Sequence, residues 1–509
     1  MASYSGNSNK YGRQTIYINQ TEQMLKSYSP QEIKKVLASY IPLILETHKA
    51  NKERTRYLWD YYLGLQDIKD KVKHTRDEIN NKKVENWAYA IVDFKKAWQL
   101  GNPIQYVMIN STSSEEIEQL NKFVRYQNKE AKDQWIYEDV LVTGRGFRYQ
   151  NKLKSEDEDD APFEIQNIDR DTCEVVYSKQ IGHEQLFSVV ITDMEETILK
   201  EDGSRATEEY KELTFYLRNR QIICQVRNEN YKWEKEKPII LNEHVITEYY
   251  VNRDRISLIE IGKDLFDGIN QLESLDFDDL EQFVNALMVF TNAEVNEEEM
   301  AEIKKLGAVS IKSTENKKAS VALLQNRLSA TDTQTFYTRL LTSLHQILGI
   351  PMATDNGSVT SGDTGKAKMT GQGYTSAGIR AKTDETMFKS CDFNSLKVLL
   401  KICKAAPNSK IKQLKAVDVD SKMNRDMSDN LLVKTQALMN LLQARIPKEY
   451  ALPIINLFSD SNAVVQVMEK NEEEQLQLAE QQMNVNDTNK ANAQNNKINN
   501  AEQMDLQDQ

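Results

Sequence analysis

Cysteine is scarce in this chain: the four in 509 residues, Cys173, Cys224, Cys391 and Cys403, are widely scattered and include no CxxC pair. That spacing argues against a disulfide framework and a thiolate zinc site, and fits a reducing cytoplasm. The five histidines, His48, His74, His183, His244 and His345, lack the spacing of metal ligands, and none adjoins a G-x-S-x-G nucleophile pattern. Long apolar runs are missing too. IPLIL (Ile41–Leu45) and ALMVF (Ala286–Phe290) are five residues each, far short of the roughly 18 to 20 that span a bilayer. The polar start MASYSGNSNKYGRQ does not read as a signal peptide. Neither a membrane partner nor a cofactor is expected.

Basic charge is in deficit: 65 Lys and Arg against 77 Asp and Glu leave a formal charge of -12. A protein that grips nucleic acid over its whole surface needs the opposite balance, although a local contact stays open. With 39% hydrophobic residues and a mean hydropathy of -0.63, the composition is that of a soluble protein large enough for several domains and an assembly.

Glycine is concentrated rather than abundant. Seven of the 18 fall between Gly349 and Gly378, and Ile350–Thr370 carries almost no large apolar side chain between Met352 and Met369. This segment cannot bury itself and is expected to loop out from the helices that flank it.

Apolar spacing predicts helices over Gln31–Leu65 and Asn80–Leu100, the second anchored by Trp87, Phe94 and Trp98 and stopped at Gly101-Asn102-Pro103. Between Pro162 and Val251 the pattern turns to short β runs: EVVY (Glu174–Tyr177), LFSVVIT (Leu186–Thr192), LTFYL (Leu213–Leu217) and QIICQV (Gln221–Val226). TGRGF (Thr143–Phe147) reads as a helix end turning into a strand. The longest helical pattern is Ile256–Phe290, with an apolar stripe through Leu258, Ile261, Leu265, Ile269, Leu272 and Leu275, then Phe283 and Leu287. Its remaining surface carries Glu260, Asp264, Asp267, Glu273, Asp276, Asp278, Asp279 and Glu281 against Lys263 alone, a rod with a negative face. GAVSIK (Gly307–Lys312) and ASVALLQ (Ala319–Gln325) around STENKK suggest a hairpin. A further helix is expected from the Thr331-Asp332 cap through Phe336, Leu340, Leu344, Ile347 and Leu348, and another over Ala377–Ala406 with Phe388, Leu396, Leu399, Leu400 and Cys403 as its core. Ser428–Glu472 forms a last helical group, and the Asn/Gln-rich Gln475–Gln509 has no aromatic residue with which to build a core.

Catalytic patterns fail on inspection. GDTGK (Gly362–Lys366) departs from a phosphate-binding loop at Thr360, where glycine is needed, and at Ala367, where a hydroxyl is needed. DFDDLE (Asp276–Glu281) lacks the glycine and spacing of an EF-hand.

The parts in their order resemble the portal proteins of tailed bacteriophages, in particular the family of long non-contractile-tailed phages of Gram-positive bacteria. The likeness rests on LGNPIQY (Leu100–Tyr106) after AIVDFKKAW (Ala90–Trp98), on VLVTGRGF (Val140–Phe147) and on VITEYYVNRDRISLIEIGKDLFDGIN (Val245–Asn270). SGDTGKAK (Ser361–Lys368) adds to it, with two residues inserted between glycine and alanine, and the resemblance spans about residues 40 to 405. It implies an α+β, predominantly helical portal fold: an N-terminal arm at 1–30, wing at 31–255 and 367–406, stem helices at 256–290 and 332–349, clip at 291–331, tunnel loop at 350–366, crown at 407–472 and a tail at 473–509.

The resemblance also implies a homo-oligomeric ring of about twelve copies at the capsid portal vertex of the virion, assembled in the host cytoplasm. Double-stranded DNA would pass without sequence readout, and the partners would be the terminase large subunit, major capsid and scaffolding proteins and the head-tail adaptor. On the same basis, Asp355, Asn356, Gly357, Ser358, Val359, Thr360, Ser361, Gly362, Asp363, Thr364, Gly365, Lys366 and Lys368 would form the tunnel loop facing DNA. Leu100, Gly101, Asn102, Pro103 and Ile104 would form the wing motif, Lys312, Lys317 and Lys318 would belong to the clip, and no catalytic centre is implied. The residues themselves also allow a metal-dependent phosphoryl-transfer or nuclease enzyme using Lys366 and the acidic cluster, or another capsid or connector scaffold.

Overall fold

The computed structural model describes residues 12–478 apart from 75–76, 110–114, 155–156, 158–159, 200–204, 228–229, 235, 285–286, 292–319, 325–329, 353–373, 424–430, 449–450 and 453–463. The described chain is α+β and divides into two compact units.

Unit 1 comprises Met1–Trp98, Ala131–Gln150 and Ile165–Val398. The β-rich stretch forms its main sheet from β1 (Ile16–Ile18), β5 (Cys173–Ser178), β6 (Gln185–Leu199), β7 (Arg205–Leu217), β8 (Arg220–Arg227) and β10 (Lys237–Pro238), paired in that order, with β9 (Asn230–Trp233) also on β8. All four expected β runs are strands. Register puts Phe187 opposite Leu217, Val189 opposite Phe215 and Ile191 opposite Leu213, so alternate residues share one apolar face.

Helix α2 (Pro30–Tyr62) covers that face, after the short α1 (Glu22–Ser27). Its start is fixed by a capping box, in which the Ser29 amide donates to Glu32 Oε2 at 2.8 Å and the Glu32 amide donates to Ser29 Oγ at 3.4 Å. Ile33, Leu37, Ile41 and Ile44 recur every three or four residues and are fully buried against the sheet, each contributing about 1.5–3 kcal/mol.

The helix expected at Asn80–Leu100 is shorter, because α3 begins at Trp87 (Trp87–Leu100) and residues 80–86 form neither helix nor strand. Helix α5 (Lys129–Thr143) turns at Gly144 into β3 (Gly146–Lys152), which lies between β11 (Ile246–Tyr249) and β4 (Phe163–Ile168). The helix expected at Ile256–Phe290 ends at Val284 as α6 (Leu258–Val284). Its apolar end becomes β12 (Leu287–Thr291), paired antiparallel with β13 (Ser320–Leu324). A five-residue apolar run is ambiguous between helix and strand until a partner is available, and SVALL supplies one. That is not the hairpin expected around STENKK, whose first arm, 307–312, lies outside the described residues. Helices α7 (Ala330–Leu348) and α8 (Tyr374–Ala405) match expectation, and Phe388, Leu396, Leu399, Leu400 and Cys403 are all buried.

Unit 2 comprises Gln99–Glu130, Asn151–Glu164 and Leu399–Gln509. In it β2 (Gln105–Met108), directly after LGNPI, pairs antiparallel with β14 (Val419–Lys422), so a strand from the expected crown joins the expected wing motif. Helix α4 (Glu115–Tyr126) buries Ile117, Leu120, Phe123 and Val124, and its Asn121 side chain bonds both the N–H (3.1 Å) and the C=O (2.9 Å) of Tyr106, serving that strand as a partner would. Helix α9 (Leu431–Gln443) follows.

Two predictions follow from unit 1. Gly144 has φ +89°, and a Cβ there would lie 2.0 Å from the carbonyl oxygen of Arg255. Gly144→Ala is therefore expected to destabilise the chain by at least about 2 kcal/mol in urea unfolding. Burial, with Arg218 beside it, pushes His244 down from 6.5 to about 4. Its folded form stays neutral where the unfolded chain takes a proton, so its stability contribution is present above pH 6.5 and is lost as pH falls toward 4. Asp139, pushed up to about 6 by burial against the opposing pull of Arg170, titrates in the opposite sense. The difference in stability between the parent and His244→Gln from pH 7 to 5 isolates the histidine and should change by up to about 1.4 kcal/mol per pH unit.

Candidate functional site at the paired long helices

The N-terminus of α6 is built on Glu260. The Ser257 amide donates to Glu260 Oε2 (2.9 Å) and the Glu260 amide donates to Ser257 Oγ (3.0 Å), a second capping box. Glu260 Oε1 also accepts from the Gly12 amide (3.1 Å) and from Arg54 Nε (3.0 Å), and ion-pairs with Arg13 Nη2 at 2.7 Å. Arg13 reaches back to the Thr143 carbonyl (2.7 Å), and its burial, outweighing Glu260, lowers it to about 10. One buried carboxylate thus ties the chain's start, α2 and the end of α5 to the root of α6.

Other buried pairs surround this node. Arg145 donates to both oxygens of Glu174 (2.6 and 2.7 Å), which also meets Asn51 and His48. Burial alone would raise Glu174; Arg145 reverses that and holds its carboxyl below the ordinary value. Glu248 is held low in the same way by Arg255 (2.9 Å) and accepts from Tyr177 Oη at 2.5 Å. Arg148, fully buried, donates to Asp133 (2.6 Å) and Tyr249 (3.2 Å).

Further along α6 the buried row turns polar. Asn270, Ser274 and Asp278, each four residues apart, are all buried. The strap at 80–86 matches them: the amides of Asn81, Lys83 and Glu85 donate to Asp278 Oδ1 (2.6 Å), Ser274 Oγ (2.9 Å) and Asn270 Oδ1 (2.8 Å). Four helical residues rise about 6 Å and two extended residues about 6.6 Å, so the two repeats stay in step over three notches. Lys71 (3.3 Å) and Lys73 (3.1 Å) close on Asp278, and these groups with Asn81 hold its carboxyl below the ordinary value against the burial that would raise it.

Against α6 packs α7, burying Leu344 and Leu348. Both helices leave large apolar side chains in solvent: Ile261 (53% exposed), Phe277 (40%) and Leu280 (63%) on α6, and Phe336 and Ile347 (50% each) on α7.

A family model described as phage portal protein, SPP1 Gp6-like, matches residues 43–486, most of the chain and all of α6 and α7. The chain belongs to this phage portal protein family. No curated protein sequence matches it. Among the described residues of this portal protein no helix is long and apolar enough to cross a membrane, and no group of three His, Cys, Asp or Glu side chains is placed to hold a metal.

The sequence-derived site residues of the portal chain fall into three sets. Asp355–Lys368 and Lys312, Lys317 and Lys318 lie outside the described residues. Leu100 and Ile104 are buried in unit 2, with Gly101 and Pro103 exposed between them and Asn102 half-buried. The acidic face of α6 is only partly a solvated surface. Glu260 and Asp278 are buried in the contacts above, Asp267 accepts from Tyr61 Oη (2.7 Å) and Lys263 (2.6 Å), and Glu281 accepts from Asn81 (2.9 Å). Asp264 and Asp276 are exposed and Glu273 and Asp279 half-buried. Burial first, then Glu85 and Asp276, raises Glu273; burial, then Asp276 and Asp278, raises Asp279. Sequence reading missed Asn270, Ser274 and the strap, whose one signal was a polar row at four-residue spacing beside the apolar stripe.

Glu260→Ala would leave Arg13 buried without its partner. It is expected to cost about 3–5 kcal/mol in chemical denaturation of the full chain; a loss below about 1 kcal/mol would show that the node does not hold α6.

Proposed function

We propose that this portal-family chain assembles into a ring of about twelve copies at one capsid vertex, with α6 and α7 as stem helices around a channel through which double-stranded DNA is packaged and later ejected. The family match over residues 43–486 carries this reading. Two features of unit 1 support it. Apolar side chains left exposed on α6 and α7 suit burial against a neighbouring copy. Exposed Asp264 and Asp276 on α6 suit a wall past which phosphates slide, because like charge leaves no deep electrostatic minimum.

On this reading the clip at 291–331 docks the terminase and then the head-tail adaptor, and a separate ATPase supplies the energy. The glycine-rich Ile350–Lys366 is the tunnel loop, with Lys366 and Lys368 touching the DNA backbone without reading sequence. The wing and crown, at 31–255 with 367–406 and at 407–472, meet capsid and scaffolding proteins.

Negative-stain electron microscopy with mass photometry tests the ring. Annular particles near twelve times 58.7 kDa, about 700 kDa, are expected; a monomer at every concentration and in the presence of scaffold would overturn the reading. Phe277→Glu with Leu280→Glu should abolish rings while leaving the circular dichroism spectrum unchanged. Gly362→Pro with Gly365→Pro should leave rings intact and block DNA filling of capsids.

A further inference from the structure

The strap at residues 80–86 is attached to α6 in an unusual way. None of its residues is buried, and in the chain leading to it Val72 is 74% exposed, so little apolar surface holds it down. The attachment is instead the three-notch ladder of strap amides on Asn270, Ser274 and Asp278, reinforced by Gln66 on Asn270, by Lys71 and Lys73 on Asp278, and by Asn81 on Glu281. Both sides of each contact are hydrophilic, so parting them exposes polar rather than apolar surface to water. A helix row that faces a permanent core is ordinarily apolar, as the same row is one turn earlier at Phe266, which is buried beside Tyr61 with ring centroids 6.3 Å apart. Below Phe266 the row has been given side chains that tolerate solvent.

We infer that the strap is a releasable latch on the distal half of α6: it lifts as a unit, exposes a polar rather than an apolar groove, and frees α6 beyond Asn270 to change its course while the root stays clamped at Glu260. The latch would pivot at its downstream end, where Glu85 accepts from Tyr337 Oη of α7 at 2.7 Å and Asn86 holds the carbonyl of Tyr62 at 2.9 Å. Its use in letting a channel wall adjust to passing DNA rests on the stem reading above; its existence does not.

Hydrogen–deuterium exchange on the full-length protein, read at single residues by electron-transfer fragmentation, tests the latch. The amides of Asn81, Lys83 and Glu85 should exchange together and faster than those of α2 from Ile33 to Ile44. Asp278→Asn should accelerate all three at least tenfold without changing α2. Ser274→Ala, which among the three strap amides takes the acceptor from Lys83 alone, should accelerate Asn81 and Glu85 as well. Strap amides that exchange as slowly as α2 in all three proteins, or an acceleration confined to the amide whose acceptor was altered, would overturn the inference. Absence of rings in the unmodified protein would overturn the stem reading and leave the exchange result to decide the latch.

Discussion

Burying a guanidinium costs several kcal/mol of hydration, and the fold of unit 1 depends on returning that cost four times over. Arg13, Arg145, Arg148 and Arg255 are all buried, each against a carboxylate: Glu260, Glu174, Asp133 and Glu248. The partners of each pair come from different elements: Arg148–Asp133 and Arg255–Glu248 close locally, whereas Arg13–Glu260 and Arg145–Glu174 are compensated only once the arm, the α5–β3 turn, β5 and the root of α6 are in place. Gly144 packs so near the Arg255 carbonyl that no side chain fits between them.

The result is a helix with two unlike ends. The root of α6 is held by buried charge, which resists partial opening because a half-satisfied ion pair is worse than none. Its distal half is held by a row of buried polar side chains, Asn270, Ser274 and Asp278, whose partners are strap amides and two lysines rather than apolar surface. On the proposed stem reading, a firmly seated root and a releasable distal half would let the channel wall adapt without disturbing assembly. On the proposed ring reading, the apolar side chains left exposed on α6 and α7 would be covered by a neighbouring copy.

Much of this was legible in the chain. The α2 and α8 stripes, the four sheet strands and the helix-to-strand turn at TGRGF follow from apolar period and glycine placement, which act over a few residues and so leave a local imprint. The motifs that carry the portal likeness are local in the same sense, and the family match bears out that likeness. The glycine-rich segment was visible by composition alone, although 353–373 lies outside the described residues.

What the sequence by itself determined is therefore the α+β class, the positions of most elements and the family. Tertiary structure decided which charges are surface and which are structural: Glu260, Asp264, Asp276 and Asp278 belong to one acidic helix, yet the first and last are buried hubs and the middle two face solvent. It also decided that LMVFT is a strand, because SVALL thirty residues on offers the pairing, and that 80–86 is not helical, because three acceptors on α6 wait for its amides. Those outcomes depend on partners distant in sequence, whose desolvation and hydrogen-bond energies exist only once the chain has brought them together.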